Sequence, residues 1–326
     1  MGYNKENYAR IRQEYQGKNL QAKKDAEERR LALHRLYPEL EKIDRLLSNT
    51  GVNILRESTK GAEGLDERIA KLRAENEELL SARAAYLASI GYPADYTSVK
   101  YDCTECSDTG FVGTHMCECM KRALVAAGYQ SSGLGNLIKT QSFDTFSLDY
   151  YKDSKEAYDN MKIVIELCKR YVDGFSQTSG KSMLLVGKAG LGKTHLSTAV
   201  AKAVIEKGFD VVYETAQNIL ADFEYERFNR SYGDTSAVRT DKYFECDLLI
   251  IDDLGTEVAN QFTVACLYNV INTRLNNSKS MIVSTNLSQK EIIDRYGERI
   301  NSRLFGEFMA LHFVGKDIRL KKAKMS

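Results

Sequence analysis

The stretch GKAGLGKT, residues 187–194, constrains the fold of this chain more than any other segment. It follows directly on the apolar run MLLV at 183–186, which predicts a buried strand, and it precedes HLSTAVAKAVIEKG, whose spacing predicts a helix. Glycines let the backbone of such a loop turn its amides inward, and the helix adds a partial positive charge at its N-terminus. Strand, glycine-rich loop and helix in this order predict a phosphate-binding loop within an α/β domain.

The same loop predicts contacts to a bound nucleotide. Lys193 is expected to reach the β and γ phosphates, and the Thr194 hydroxyl is expected to hold Mg2+. The residues expected to surround the nucleotide are Gly187, Lys188, Ala189, Gly190, Leu191, Gly192, Lys193, Thr194 and His195. A glycine-rich turn that binds nothing is the alternative, and the flanking strand and helix argue against it.

Three further apolar runs predict buried strands, and each is followed by a segment with helical spacing. The runs are DVVYET at 210–215, DLLIID at 247–252 and SMIVST at 280–285. Strands that alternate with helices from about residue 140 onward predict an α/β fold with a parallel sheet. Ligands of such sheets bind at the edge formed by the carboxyl ends of the strands.

Polar residues stand at that end of two of the runs. Asp252 and Asp253 close one strand, and Asn286 follows the next. We expect Asp252 to hold Mg2+, directly or through water, and Asp253 to orient and polarise an attacking water. Asn286 is expected to bind that water or the γ phosphate, although an Asn at a strand end is also a common turn residue.

The first 98 residues have a different composition, rich in Glu, Lys, Arg, Ala and Leu, which favours long helices. Two series of positions spaced by three and four residues predict an antiparallel helical hairpin, a coiled-coil arm kinked near Pro38. The series are Leu33, Leu36, Leu40, Ile43, Leu47 and Leu65, Ile69, Leu72, Asn76, Leu79, Arg83, Tyr86, Ile90. Asn76 and Arg83 interrupt the second series, so a solvated charged rod is the alternative. In a hairpin, Arg83 would lay its stem along the apolar stripe with its head in water.

Four of the seven cysteines fall within the segment CTECSDTGFVGTHMCEC, residues 103–119. They form a CxxC pair and a CxC pair, namely Cys103, Cys106, Cys117 and Cys119. Zinc takes four sulfur or nitrogen ligands in a tetrahedron, so the segment predicts a structural zinc site, with His115 as an alternative ligand. A redox pair is the poorer interpretation, because the βαβ setting of thioredoxin-like motifs is absent here. We therefore predict an arm over residues 1–98, a zinc-binding module over 99–125 and the α/β domain over 126–326.

Charge and hydropathy bear on the partners. The 46 basic and 45 acidic residues give a net charge of +1, so no overall field attracts nucleic acid or an acidic membrane. No apolar run approaches the roughly 20 residues of a membrane span, and we expect a cytoplasmic protein without a membrane partner.

Locally, residues 218–244 interleave aromatic and basic side chains, which can stack on unpaired bases and meet phosphates. The candidates for contact with single-stranded DNA are Phe223, Tyr225, Arg227, Phe228, Arg230 and Tyr232. The alternative for Phe223 and Phe228 is a place in the core of a helix.

Five segments taken together resemble AAA+ ATPases of the DnaC/DnaI type, the bacterial replicative helicase loaders, which share a core with the IstB transposition helpers. The segments are LLVGKAGLGKTHLSTAVA, LLIIDDLGTE, IVSTNLS, RYGERINSRLFGE and FVGKDIR. They cover roughly residues 140–320. The resemblance implies a P-loop ATPase domain over the predicted region 126–326, with Asn286 as a first sensor.

The same resemblance implies catalytic arginines. Arg303 matches the arginine finger that a neighbouring subunit supplies, and Arg319 matches the second sensor. Arg295 and Arg299 lie close enough in sequence to be the finger instead, and a surface ion pair is the alternative for each arginine. Asp253 stands where many AAA+ proteins carry Glu.

The function implied is that of an ATP-dependent helicase loader. ATP with Mg2+ would act as the switch, the subunits would assemble into a ring or helix, and zinc would stabilise an N-terminal part that grips the helicase hexamer. Single-stranded DNA would be the second partner. The alternatives are an IstB-type transposition helper, which is also an ATPase, and an adapter that holds a nucleotide without turnover.

Overall fold

Three helices form most of the N-terminal third of the protein. In the computed structural model, which describes residues 3–59, 64–230 and 239–325, helix α1 spans Lys5–Leu36, α2 spans Pro38–Ser58 and α3 spans Leu65–Ser89. The predicted kink at Pro38 is wrong, because the helix ends at Leu36 and Pro38 begins a new one. A proline disfavours a helical residue before it, whereas at the first position of a helix it sacrifices no hydrogen bond.

Helices α2 and α3 form the predicted antiparallel pair. Leu40 packs with Leu87, and Asp44 pairs with Arg83, so residue numbers fall along one helix as they rise along the other. All eight positions of the predicted series from Leu65 to Ile90 are half-buried. Leu36, expected in the apolar stripe, is instead 67% exposed.

The guanidinium of Arg83, which we expected to lie in water, instead bonds to protein groups. Its Nε donates to Asp44 Oδ1 at 2.6 Å and its Nη2 to Thr97 Oγ1 at 2.6 Å. His34 Nε2 lies 2.7 Å from the other oxygen of Asp44. The guanidinium is therefore part of a buried polar network and does not lie in water.

A small antiparallel hairpin follows the helices, with β1 at Phe111–Val112 and β2 at His115–Met116. It belongs with the helical arm, because the chain divides into one compact unit at Arg12–Cys119 and another formed by Met1–Ile11 and Met120–Ser326. The proposed division at residues 98 and 125 into arm, zinc module and ATPase domain stays a prediction about function.

A five-stranded parallel sheet is the centre of the second unit. Its strands are β3 (Ser182–Val186), β4 (Val211–Thr215), β5 (Leu248–Leu254), β6 (Ser280–Thr285) and β7 (Phe308–His312). Their order is β4-β5-β6-β3-β7, and every neighbouring pair is parallel. The predicted α/β class with a parallel sheet behind N-terminal helices is confirmed; β7 is an additional strand at the sheet edge.

Helices cover both faces of this sheet. They are α4 (Glu118–Ser131), α5 (Leu137–Thr140), α6 (Lys155–Asp173), α7 (Lys193–Glu206), α8 (Ala216–Arg230), α9 (Asp241–Glu245), α10 (Gln261–Asn276), α11 (Gln289–Tyr296), α12 (Glu298–Gly306) and α13 (Ile318–Met325). Successive strand residues enter opposite cores: Leu248 and Ile250 pack in the core with α6 and α7, and Leu249 and Ile251 in the core with α10. Burial on both faces explains why the strands read as continuous apolar runs.

Among the described residues, no helix is both long enough and apolar enough to cross a bilayer.

Candidate nucleotide and metal sites

A cavity of about 300 Å³ opens at the carboxyl edge of the sheet. It brings together ten of the residues expected from the sequence: Ala189, Gly190, Leu191, Gly192, Lys193, Thr194, His195, Asp253, Asn286 and Arg319. Gly187, Lys188 and Asp252 stand just behind this lining and bond to Lys193 or Thr194. The edge position follows from the sheet, since parallel strands end together there.

Two glycines of the loop between β3 and α7 have left-handed backbone conformations. Gly190 and Gly192 have φ angles of +75° and +87°. A Cβ on Gly190 would lie 2.0 Å from Asp317 Oδ1, and one on Gly192 would lie 2.9 Å from the Tyr151 hydroxyl. Any side chain would therefore be both strained and obstructed, so the loop keeps its backbone open toward the cavity.

Lys193 is buried beneath this loop. Its Nζ donates to the carbonyl oxygens of Gly187 at 2.6 Å and Lys188 at 3.0 Å. Burial lowers the pKa of Lys193, and the nearby Asp253 and Asp252 partly offset that shift. The ammonium is thus held at the cavity wall by groups that a phosphate chain can replace.

Asp252 is buried under the cavity floor and accepts three hydroxyl hydrogen bonds. Its Oδ2 accepts from Tyr213 at 2.5 Å and from Thr194 at 3.1 Å, and its Oδ1 accepts from Ser284 at 2.5 Å. Burial and the Asp252 carboxylate raise the pKa of Tyr213, so its hydroxyl stays a donor. The oxygen pair Thr194–Asp252 fits Mg2+, since adjacent ligands of an octahedral ion at about 2.1 Å stand about 3.0 Å apart.

Asp253 points into the cavity because strand β5 is irregular at its end. The β5–β6 register shifts between Ile251 and Leu254, and Asp253 has a φ of +54°. In a regular strand, Asp252 and Asp253 would point to opposite faces of the sheet. The bulge places both acids at one site. Desolvation and the neighbouring Asp252 raise the pKa of Asp253, with Lys193 and Arg319 opposing.

The four candidate arginines lie in different settings. Arg319 lines the cavity. Arg303 pairs with Glu307 on its own helix end at 3.6 Å, and Arg299 is exposed. Arg295 donates to the carbonyl oxygen of Glu257, whose buried carboxylate also accepts from Tyr296. Arg295 therefore anchors the loop after β5, whereas Arg299 is exposed and Arg303 is half-buried.

Five other cavity residues lie outside every motif quoted from the sequence, namely Gln141, Thr145, Phe146, Ser147 and Tyr150. Thr256 and Ile318 also line the cavity and lie within quoted segments, but the sequence predicts no role for them. His195 Nε2 lies 2.9 Å from the Ser142 carbonyl oxygen, and the His195 and Phe146 rings are perpendicular with their centroids 5.2 Å apart. The one available signal was the density of aromatic residues in SFDTFSLDYY at 142–151.

The four clustered cysteines converge on one point of the arm unit. Their Sγ atoms all lie within 4.8 Å of one another, with Cys103–Cys117 at 3.8 Å and Cys106–Cys119 at 3.5 Å. Zinc–sulfur bonds of about 2.3 Å in a tetrahedron place sulfurs about 3.8 Å apart, so the group fits zinc. His115 is exposed on β2 and lies outside the group.

Several groups around the cysteines fix this arrangement. The buried Asp108 carboxylate accepts from the backbone N–H groups of Asp102 at 2.9 Å and Cys103 at 2.8 Å. A hydrogen bond to the backbone of Cys106 lowers the pKa of the Cys103 thiol to about 7. From α1, Asn19 donates to the Ser107 carbonyl oxygen at 2.6 Å.

The residues of the candidate DNA-binding segment, 218–244, lie in different environments. Phe223 packs partly buried against a core and stacks on Tyr243 with ring centroids 6.3 Å apart, which favours the core alternative for this residue. Phe228 is 70% exposed, and Tyr225 carries the Arg239 guanidinium 3.7 Å above its ring. The side chain of Arg230 and the whole of Tyr232 lie outside the described residues.

Known proteins resemble the part of the chain that carries the cavity. The protein family described as IstB-like ATP binding protein matches residues 156–305, which include the loop at 187–194, both acids and Asn286. The chain contains an IstB-like ATP-binding domain. The resemblance to AAA+ proteins of the DnaC/DnaI type, which share this domain, is thereby confirmed.

Relatives of the IstB-like domain include DnaC. The replicative helicase loader DnaC of Buchnera aphidicola subsp. Acyrthosiphon pisum is 23% identical over 177 residues, which are 53% of this chain and 66% of DnaC. The phage-like element PBSX protein XkdC of Bacillus subtilis is 26% identical over 249 residues, 70% of this chain and 87% of XkdC. A crystal structure of the DnaC helicase loader gives a TM-score of 0.47 at 22% identity, covering 55% of this chain and 99% of that one.

Proposed function

We propose that this protein is an ATP-dependent loader of the replicative DNA helicase. It binds the helicase and delivers it to single-stranded DNA, with ATP binding and hydrolysis as the switch. The observation that carries the proposal is the convergence of Lys193, Asp253, Asn286 and Arg319 on one cavity of an IstB-like domain. The similarity to DnaC, a protein named as a helicase loader, supports the choice of partner.

Hydrolysis in this cavity is a displacement at the γ phosphate by water. The loop amides and Lys193 bind the phosphates, and Thr194 and Asp252 hold Mg2+, which when bound neutralises phosphate charge. Asp253 orients the water, and Asn286 contacts the water or the γ phosphate. Arg319 meets the phosphates from within the same subunit.

Arg303 completes the site from a neighbouring subunit. Its only described ion pair is with Glu307 four residues away, partly exposed and hence weak, so a phosphate can displace it. A guanidinium supplied across an interface makes hydrolysis depend on assembly. The isolated subunit is thus a slow ATPase, and Arg303→Ala should abolish the rise of turnover with protein concentration.

Arg295→Ala should instead lower the melting temperature, because it leaves buried Glu257 without its cation.

The arm unit supplies the contact to the helicase, and the zinc site stabilises it. The cluster substitutes metal bonds for a hydrophobic core too small to fold a hairpin of two-residue strands. For single-stranded DNA, the exposed Phe228 and the Tyr225–Arg239 pair on the α8 side of the domain are the candidates, because an exposed ring is free to stack on a base.

Affinity capture of the full chain from its native lysate tests the proposal. A replicative helicase hexamer should elute in larger amount with a non-hydrolysable ATP analogue than without nucleotide, and Lys193→Ala should remove the difference. Elution of no helicase under either condition would refute the loader function.

An IstB-type transposition helper is the second candidate, favoured by the family match over residues 156–305. Such a protein would act on double-stranded DNA with a transposase, so the captured partner distinguishes it from a loader. Turnover measured with single-stranded DNA and helicase present separates both from a non-catalytic adapter, which would hydrolyse nothing.

A further inference from the structure

Two hydroxyl groups for which the sequence predicts no role, those of Tyr213 and Ser284, bond to the buried Asp252. We propose that Tyr213 and Ser284 are positioning residues for Mg2+ in the nucleotide cavity, holding the Asp252 carboxylate in the one orientation that serves the ion. The inference rests on the proposed nucleotide function of this cavity. It concerns how the chain binds the metal–nucleotide complex and is independent of which partner the protein loads.

The carboxylate of Asp252 is held from both sides. Tyr213 reaches it from β4 and Ser284 from β6, the two strands that flank β5, and both bonds measure 2.5 Å. A carboxyl group rotates easily about its last bond, so a single donor would not fix its plane. Donors on both oxygens do fix it, and Thr194 then shares Oδ2 at 3.1 Å on the cavity side.

Burial makes these two donors hard to replace. Tyr213 is 5% exposed and Ser284 is fully buried, as is almost all of Asp252. Solvent therefore has little access to the oxygens if either hydroxyl is removed, and the carboxylate would lose a charge-assisted hydrogen bond without compensation. An Asp252 freed in this way would hold Mg2+ less well while the phosphate-binding loop stays intact.

Ser284 has a second contact that Tyr213 lacks. Its Oγ accepts from the backbone N–H of Asp253 at 2.9 Å while donating to Asp252. This pair of bonds spans the bulge at the end of β5, so Ser284 supports both acids and Tyr213 supports only Asp252. The two residues should differ in their effect: loss of Tyr213 weakens metal binding, and loss of Ser284 also slows turnover.

The test uses the full chain and magnesium itself as the probe. Nucleotide affinity is measured by calorimetry with ADP and with a non-hydrolysable ATP analogue, across a Mg2+ titration and without added Mg2+. Chelators are left out, because they would also attack the cysteine cluster. Tyr213→Phe should raise the Mg2+ concentration for half-maximal effect by about ten- to a hundredfold, with unchanged affinity in the absence of Mg2+.

Tyr171→Phe is the matched control. Tyr171 is a buried tyrosine of the same unit whose hydroxyl donates to the Lys181 carbonyl oxygen at 3.2 Å, away from the cavity. Its removal should leave the Mg2+ midpoint at the wild-type value. Ser284→Ala is the second test variant, with the same Mg2+ shift and a lower turnover per bound nucleotide, and it serves if Tyr213→Phe fails to fold.

Two results would overturn the inference. One is a wild-type Mg2+ midpoint in a folded Tyr213→Phe or Ser284→Ala protein. The other is an equal loss of nucleotide affinity with and without Mg2+, which would mean that the hydroxyls merely stabilise the sheet. Either outcome leaves the loader proposal to the capture experiment, and a chain that shows the Mg2+ shift but captures no helicase would retain this inference alone.

Discussion

Lys193 is a buried cation of the phosphate-binding loop. Its ammonium donates hydrogen bonds to two backbone carbonyl oxygens, and burial lowers its pKa. Asp252 and Asp253 offset this burial only in part, so a phosphate chain that adds negative charge should draw much of its binding free energy from this side chain.

Lys193→Ala should therefore weaken binding of Mg2+-ATP by at least about tenfold, the equivalent of a charged hydrogen bond of about 1.5–3 kcal/mol. Lys162→Ala is the control, because Lys162 is an exposed lysine of α6 in the same unit and lies outside the cavity lining. Calorimetric titration of both variants gives the comparison. Equal affinities for the two would contradict the assignment of the site.

Residues that act through local sequence could be predicted, and residues that act through distant strands could not. Lys193 and Thr194 lie in a fixed spacing on one loop, and that spacing has a physical reason visible in the sequence. Tyr213 and Ser284 reach Asp252 only because β4 and β6 flank β5, and nothing in their own neighbourhoods shows that order. For Phe223 the sequence left both interpretations open, because an aromatic residue on a helix gives the same pattern whether it faces a core or a base.

The cysteine hairpin is the element whose stability depends most on a bound ion. Its strands are two residues long, and four thiols crowd within 4.8 Å. Thiolates packed so closely would repel one another unless a cation lies between them.

The purified chain should carry about one zinc ion. Cys106→Ser should lose it and show faster amide exchange over the hairpin, whereas His115→Ala should keep it, because His115 lies outside the sulfur group. Metal analysis with hydrogen exchange checks both. Loss of zinc from His115→Ala together with its retention in Cys106→Ser would reverse the ligand assignment.

The helical arm has an acid-sensitive point at Asp44. Burial raises the pKa of this carboxyl, but hydrogen bonds from Arg83 and His34 outweigh it, so the net pKa is lowered. A carboxyl whose pKa is lowered in the folded state stabilises the fold at pH values above its ordinary pKa of about 3.9. This stabilisation disappears as the pH falls through the lower pKa of the folded state.

Asp44→Asn should thus destabilise the arm by about 2 kcal/mol at pH 7 and by much less at an acidic pH below the lowered, folded-state pKa of Asp44. Glu41→Gln on the same helix is the control, since the exposed Glu41–Arg45 pair contributes little. Denaturant titrations at the two pH values, followed by hydrogen exchange over α2 and α3, make the measurement. A penalty independent of pH would contradict the role of ionisation.

Among the strands, too, the sequence predicted some and missed one. Four apolar runs predicted β3 to β6 within two residues at each end. The run FMALH of β7 is buried only at Phe308 and Leu311 and is exposed at Met309 and His312, so it lacks the consecutive buried residues of the other four strands. Its edge position does not explain the difference, because β4 is also an edge strand and was predicted.

At the scale of the whole molecule, the first eleven residues belong with the unit that contains the parallel sheet, which we call the ATP-binding unit, and not with the arm. Asn4 Nδ2 donates to Asp210 at 3.1 Å, and Asn7 donates to Ser131 at 2.8 Å. Removing residues 1–120 as a block would therefore take away part of the ATP-binding unit as well as the arm.

Deleting residues 1–11 should lower the melting temperature of the ATP-binding unit, and Asn4→Ala should reproduce part of the loss, about 1 kcal/mol, by removing a donor to Asp210. Gln13→Ala, an exposed position further along the same helix, should have no effect. Thermal melts with and without nucleotide report on this unit. Wild-type stability in the deletion variant would show that residues 1–11 do not stabilise this unit.

The bulge at the end of β5 also bears on which substitutions count as conservative. Asp253 adopts a left-handed backbone conformation, which short polar residues such as Asp and Asn tolerate far better than longer side chains do. Exchanging it for Glu, the acid of many AAA+ proteins, keeps the charge but would place the longer side chain in strain of about 1 kcal/mol. At this position the backbone, and not the chemistry alone, decides between the two acids, so a substitution matrix that treats them as equivalent would misjudge it.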